Sequence, residues 1–543
     1  MKSWLAKCWP LATGALILLA TSAIILYSSL RHNQGRLVYA LDDPYIHMAI
    51  AKNFAAHSVW GVTQYQFSNS SSSPLWTLLI SLFYFLFGIN ETTPFILNLI
   101  IAAALVFWIY RILERFQVPN FYKLIVLVAL IYFTPLPTLV FSGQEHILHA
   151  LLTILFAHFA AQELSDISGS TKKRRLDLVI LAPALSSIRY EGLFLAALVC
   201  LLFLFRRHWF FSILLAVFAL LPPVIYGFLS MSKGWFFFPN PILVKSMLLA
   251  LPGQKNIFGL LGFLAKGGYQ LLLVTSHIAF LLISALLIYA VRWRVNKRFW
   301  DRSRILLLLF IGSALLHVTF ANAGWFFRYE AYLVAFGLFA VSFGIFDSLS
   351  EWKQESAEAK AFSVRYAIIL FAALIPIYPL AKRGLLALEQ TRTATTNIYE
   401  QQYQMGLFLK EFYPGAAVAA NDIGAICFLS DVRCLDLWGL GSKETAILRI
   451  SGYFGPEEIY ALTAPMDAII IYEHSFADIM PARWIKAGQW KISNNIVAAG
   501  DSVTFFAPDL VKAARLMGNL RAFFPRLPKT VVQSGKYLEY IPQ

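Results

Sequence analysis

The chain predicts a mostly α-helical fold: a polytopic membrane bundle of about eleven transmembrane helices, followed by a small C-terminal α/β domain. Three observations point there. Of 543 residues, 58% are hydrophobic and only 14% charged, with a mean hydropathy of +0.63, well beyond the apolar share of a soluble domain. Apolar stretches near the length of about 20 residues that crosses a bilayer recur as far as residue 380. Past about Lys382 the composition becomes that of a soluble domain. The expected division is therefore a membrane module over 1–382, with a first outer loop over 31–94, and an extracytoplasmic domain over 383–543.

The first span, 11–30, follows Lys2 and Lys7 and lacks a convincing cleavage site, so it reads as a retained signal anchor with its N-terminus in the cytoplasm. The apolar segment 75–87 lies in the loop that follows. Were it to cross, Arg111, Arg115 and Lys123 would face outward and every later basic connector would be inverted, against the positive-inside rule. It is expected to be a juxtamembrane or re-entrant helix packed on protein. Spans are then expected at 95–110, 124–141, 147–162, 178–188, 193–205, 210–229, 271–291, 305–321, 332–346 and 367–380. Their inner connectors hold Lys172, Lys173, Arg174 and Arg175; Arg206 and Arg207; Arg292, Arg294, Lys297, Arg298, Arg302 and Arg304; and Lys353, Lys360 and Arg365. This alternation places the C-terminal domain outside. It also accounts for the formal net charge of +15 without a nucleic-acid partner, because the basic residues set topology in short loops. In the outer domain, buried strands are expected at 418–420 and 468–471, with helices at 395–412 and 509–520.

Chemistry concentrates in short motifs on the outward side. LDDPYIHMAIAKN, residues 41–53, sets two adjacent carboxylates just outside the first span, at the start of an amphipathic helix. Asp at N-cap with Pro at N1 is a favoured helix start, so Asp43 is expected to cap and to leave Asp42 free. Few cations face outward: Arg189 in SSIRYEG, Lys245 in FPNPILVK and Arg328 in GWFFRYE. An arginine grips phosphate through two N–H groups and a lysine acts as a point charge. The plainer role for each is snorkelling at a span end. Glu145 in SGQEHILHA is an acid at the outer end of a span, a costly position that usually faces the bundle interior and where Arg189 is an available partner. His146 and His149 follow it, and hydrogen-bonded histidines are favoured there over a metal site, because the zinc-hydrolase spacing is absent. Cys427 and Cys434 are near enough in sequence for a strand-turn-strand to pair them in an oxidising compartment, with two buried thiols as the alternative.

The set of motifs resembles the GT-C glycosyltransferases, membrane enzymes that take sugars from polyprenyl-phosphate donors. DDPYIHMAIAKN with the later SSSSPLW resembles their first outer loop, in wording nearest the bacterial branch that includes the mycobacterial terminal arabinofuranosyltransferase, although Pro44 replaces the usual small residue. SSIRYEG resembles that branch's RPEG turn, FPNPILVK its PNTYYAK, and GWFFRYE its tryptophan-arginine-tyrosine motif. AANDIGAICFLSDVRCLDLWGLG, residues 419–441, resembles its outer domain, with an Asp-x-Gly turn and an Asp-Leu-x-Gly-Leu turn.

The resemblance implies an inverting transfer of one sugar to an extracytoplasmic glycan, lipid or protein. Asp42 would be general base with Asp43 second, and Arg189, Lys245 and Arg328 would hold the donor phosphate. Glu145, His146, Glu191, Asn240, Trp325 and Tyr329 would line the substrate. No cofactor is firmly implied; a divalent metal ion, where one is used in this class, sits at the acidic pair, here Asp42 and Asp43. The partners are the donor lipid, the acceptor and the bilayer, and the setting is a bacterial plasma membrane. A transporter or flippase of lipid-linked sugars would instead place polar residues at mid-bilayer in matching halves, and an inactive glycan-binding scaffold would have no use for Asp42.

Overall fold

The computed structural model describes residues 2–165, 172–245, 267–295, 298–352 and 364–539. Helix α1 spans Lys2–His32, α2 Asp43–His57, α3 Pro74–Phe87 and α4 Thr93–Arg115, followed by α5 Asn120–Phe133, α6 Leu136–Ser142 and α7 His146–Ser165. Next come α8 Lys172–Ile188, α9 Gly192–Phe205, α10 Trp209–Ser232 and the short α11 Asn240–Lys245. Later helices run over Ser276–Val295, Arg302–Phe320, Ala331–Trp352, Val364–Leu374 and Ile377–Ile398. Among the described residues nine helical stretches are long and apolar enough to cross a membrane. The protein is thus a multi-pass membrane protein.

Several expected spans are not single rods. The stretch 124–141 is broken between α5 and α6 at Thr134 and Pro135, because proline cannot donate the helical hydrogen bond. The stretch 271–291 opens with a π-helical turn, Gln270–Val274, before the regular helix begins. The stretch 367–380 is split around Pro376. The expected spans 178–188 and 193–205 correspond to α8 and α9, of 17 and 14 residues, shorter than the nine. The segment 75–87 is the 14-residue helix α3, about 21 Å long against a hydrocarbon core of about 30 Å, and it packs on α2 and α8. Of the connector charges, Lys297, Lys353 and Lys360 lie outside the described residues.

The C-terminal sheet has six strands in the order β2-β1-β3-β5-β4-β6: β1 Ala417–Ala420, β2 Arg433–Asp436, β3 Ala468–Ile471, β4 Ile485–Lys491, β5 Ser502–Ala507 and β6 Val532–Ser534. The two expected strands are β1 and β3, hydrogen-bonded in parallel, and β1 also pairs in parallel with β2. A parallel pair needs a crossover, and the helix Gly424–Leu429 supplies it between β1 and β2. The other strands run antiparallel. The expected helix 509–520 is Leu510–Phe523, capped by the Asp509 carboxylate, which accepts from the Lys512 N–H. The expected helix 395–412 is interrupted by a π-helical turn, Tyr399–Tyr403, and resumes as Gln404–Phe412.

This topology positions the site. Because β2, β1 and β3 are parallel, the turns leaving their carboxyl ends share one edge of the sheet. Those turns carry Trp438, Asp422 and Tyr472, and the helix Gly424–Leu429 packs that edge against α2.

Candidate active site

Asp42 is the N-cap residue of α2, yet its side chain makes no bond to its own helix. Both carboxylate oxygens reach the C-terminal domain: Oδ2 accepts from the Gly424 N–H and Oδ1 from the Ala425 N–H, each at 2.8 Å. Only glycine fits at 424, since a Cβ there would lie 2.1 Å from the Asp42 carbonyl oxygen. Burial, then the nearby charge of Asp422, pushes the Asp42 carboxyl up to about 8, against the pull of those two N–H groups. Asp422 is held by the Tyr472 hydroxyl at 2.5 Å and the Gln402 side-chain amide at 2.9 Å. Gln402 comes from the π-helical turn, a device that recurs at functional sites.

The sign of the linkage gives a stability prediction. A carboxyl whose folded-state pKa is raised from 3.8 to about 8 contributes its full stability below the unfolded value and loses it as pH rises toward the folded one. The apparent Tm of wild-type protein in detergent should therefore fall between about pH 5 and pH 8. The Asp42→Asn variant should lack that part of the decline.

Asp43 corrects the expectation that it caps while Asp42 stays free. Its carboxylate accepts from Arg328 Nη2, and both acids are engaged. Arg328 is buried; it also donates to the Gln144 side-chain oxygen and, at 3.1 Å, to the Tyr329 hydroxyl, while its Nε–H has no partner among the described residues. Burial opposes its charge, but Tyr329 and Asp43 outweigh that and hold it above its usual range. Arg328 is presented by an unusual turn: Gly324, Trp325, Phe326 and Phe327 all have positive φ, at 81°, 47°, 55° and 60°. Left-handed backbone costs a non-glycine residue about 1–2 kcal/mol, so the turn must be held by its surroundings. Glu330 accepts from the Gly324 N–H at 2.9 Å, and Arg383 Nη2 donates to the Phe327 carbonyl at 2.6 Å.

Arg189 sits in the α8–α9 turn between two acids, donating to Glu191 at 2.7 and 3.1 Å and to Glu145 at 2.7 Å. These bonds raise its already high pKa against the effect of burial. Two carboxyls thus share this one guanidinium. His47 stands 3.8 Å from Glu145 and is kept mainly neutral by burial. Glu145 is fully buried, is not among the residues lining either cavity described below, and makes the expected pair with Arg189. His146 is likewise set back, its ring edge-on to Tyr329 at 6.2 Å. Asn240 is a clamp: its side chain donates to the Gly439 carbonyl at 2.8 Å and its N–H to the Asn69 carbonyl. The Lys245 side chain lies outside the described residues.

Two cavities adjoin along the Asp43–Arg328 pair. The first, of about 420 Å³, has a polar end with His47, Arg189, Glu191 and Arg328, and an apolar flank including Phe194, Phe238 and Phe320. The second, of about 520 Å³, is lined by Asp42, Trp325, Gln402, Asp422 and Trp438. Asp43, Arg328 and Tyr329 line both. Among the described residues no group of three or more His, Cys, Asp or Glu is placed to hold a metal ion. Asp42 and Asp43 do not converge on one, since backbone N–H groups engage the first and a guanidinium the second. Cys427 and Cys434 are buried thiols, hydrogen-bonded to each other and not joined as a disulfide.

Sequence reasoning missed Asp422, Gly424, Gln402 and Trp438. The signal for two of them lay in the Asp-x-Gly turn, where a carboxylate is followed by a residue able to pass close to another backbone.

Comparison with known proteins is informative chiefly about the fold. A family described as a domain of unknown function, DUF8728, matches residues 396–506. No curated protein sequence matches the chain. The structure of ArnT from Cupriavidus metallidurans bound to undecaprenyl phosphate is similar, with a TM-score of 0.50 and 11% identity over 92% of this chain and 98% of that one. Its apo state is also similar, with a TM-score of 0.50 and 12% identity over 92% and 99%. The chain therefore has an ArnT-like fold.

Proposed function

We propose that the protein is a GT-C membrane glycosyltransferase that moves a single sugar from a polyprenyl-phosphate donor to an acceptor on the outer side of a bacterial plasma membrane. The observation that carries this reading is the ion pair of the buried Arg328 with the half-buried Asp43, which lines two cavities. On one side an arginine end meets an apolar flank, which suits the phosphate and the chain of a lipid donor. On the other side lies Asp42, in reach of an acceptor. The similar ArnT structure is bound to undecaprenyl phosphate, a ligand of the proposed chemistry. In motif wording the chain stands nearest the branch that includes the mycobacterial terminal arabinofuranosyltransferase.

In this mechanism Asp42 takes the proton of an acceptor hydroxyl. The oxygen attacks the anomeric carbon opposite the phosphate, whose bond to that carbon breaks, and the configuration inverts. The phosphate leaves as an anion already stabilised by Arg328, so acid assistance is unnecessary. A carboxyl raised to about 8 suits a base working near neutrality. Arg328 is the principal phosphate ligand, because it lines both cavities, whereas Arg189 lines only the first and is held between Glu145 and Glu191. Glu191, Trp325 and Tyr329 complete the substrate walls.

The test is binding of undecaprenyl phosphate to the purified protein in detergent, followed by tryptophan fluorescence. Arg328→Gln should weaken it by about 10- to 100-fold, the worth of one charge-assisted contact. Wild-type affinity in that variant would remove Arg328 from the donor site.

A further inference from the structure

The second cavity has the make-up of a carbohydrate site, and nothing in the donor chemistry requires it to. Indole rings stand at two positions, Trp325, half exposed on the left-handed turn, and Trp438, beyond the end of β2. Between them come the planar polar groups of Asn322, Gln402 and Asp422, and the carboxyl of Asp42. Rings that stack on a sugar's C–H face, beside amides and carboxyls that take its hydroxyls, distinguish such a site from one for an acyl chain.

Two independent features suit this cavity to a polar ligand. Gln402 is 1% exposed; its amide nitrogen donates to Asp422 and Tyr472, yet its Oε1 has no partner among the described residues while the residue lines the cavity. An orphaned buried acceptor costs about 1–3 kcal/mol, which a hydroxyl donor from a ligand would remove. The cavity also opens at the carboxyl edge of the parallel strands β2, β1 and β3, where the order reverses on either side of β1, the crevice in which open α/β sheets bind ligands. Trp438 is fixed there by the Asp436 carboxylate, which accepts the N–H groups of Trp438 and Gly441 at 2.7 Å, and by Arg449 stacked 4.5 Å from its ring.

Resting on the glycosyltransferase reading, we propose that this cavity is the acceptor subsite and takes a sugar ring. Trp438 forms its stacking face, and Gln402 and Asp422 bind its hydroxyls. The acceptor is then a glycan or glycolipid, recognised jointly by the membrane module and the C-terminal domain.

The experiment uses the full-length protein in detergent and saturation-transfer NMR with short pentofuranose and hexopyranose oligosaccharides, alongside a neutral peptide and a short-chain phospholipid. One oligosaccharide class should bind saturably, and Trp438→Ala and Gln402→Ala should each weaken it at least about tenfold, as for loss of a stacked ring or a buried hydrogen bond. Undecaprenyl phosphate should bind both variants as it binds wild type, which also reports that they are folded. The proposal is overturned if no oligosaccharide binds, if the peptide or phospholipid competes for the cavity instead, or if both variants bind sugar unchanged. Failure of wild type to bind undecaprenyl phosphate while sugar binding persists would overturn the donor reading and leave this one standing.

Discussion

Asp42→Asn should lower the proposed sugar transfer by about 10²- to 10⁴-fold, the span attributed to a positioned general base, while the protein should still insert and fold. Folding is spared for a physical reason. With its carboxyl pushed up to about 8, Asp42 is largely uncharged near neutrality, so losing the charge costs little, and the remaining cost is the one backbone N–H left facing the amide nitrogen, about 1–3 kcal/mol. What asparagine cannot do is accept the hydroxyl proton. In wild type the rate should climb with pH through about 8, as the base ionises. Rates measured with a defined donor and acceptor, beside a thermal melt, check both halves. Turnover within tenfold of wild type would remove Asp42 as base.

Gly424→Ala tests the joint between the two parts of the chain. The added methyl would meet the Asp42 carbonyl oxygen at 2.1 Å and its Oδ2 at 2.7 Å. The first is a backbone atom that cannot swing aside as a side-chain tip could, so the turn must retreat and both N–H bonds to the carboxylate lengthen or break. Each buried polar group left unmatched costs about 1–3 kcal/mol, and a misplacement near 1 Å can cost about 10²-fold in rate. Stability and activity should fall together. Gly518→Ala is the control: its Cβ would meet nothing within 4 Å, on the helix Leu510–Phe523. That change should be neutral or stabilising by up to about 1 kcal/mol. Equal behaviour of the two variants would mean that the Asp42–Gly424 contact has no functional weight.

Much of the bundle was legible because apolar length is a one-dimensional signal, and the charges of the connectors add a second. The breaks at Pro135 and Pro376 were legible in principle too, since proline marks them directly. The strands were harder. Strand β4, IKAGQWK, mixes charge and glycine, and its place depends on β5 and β6 beside it. In the site, Asp42, Asp43, Arg189 and Arg328 stood out as scarce charges on one side. Their pairing did not, because which acid meets Arg328 depends on a left-handed turn that three bulky residues, Trp325, Phe326 and Phe327, would not suggest. Asp422 was hidden for a similar reason. It lies 380 residues from Asp42, and only the parallel order of β2, β1 and β3 brings it to the same cavity.

The most direct measurement is turnover by the purified full-length protein with a panel of polyprenyl-phosphate monosaccharides and a glycan acceptor, followed by release of polyprenyl phosphate and the anomeric configuration of the product. One donor should be consumed, with inversion, in wild type and not in Asp42→Asn. A product that retains the donor's configuration, or no consumption of any donor across the panel, would contradict the account.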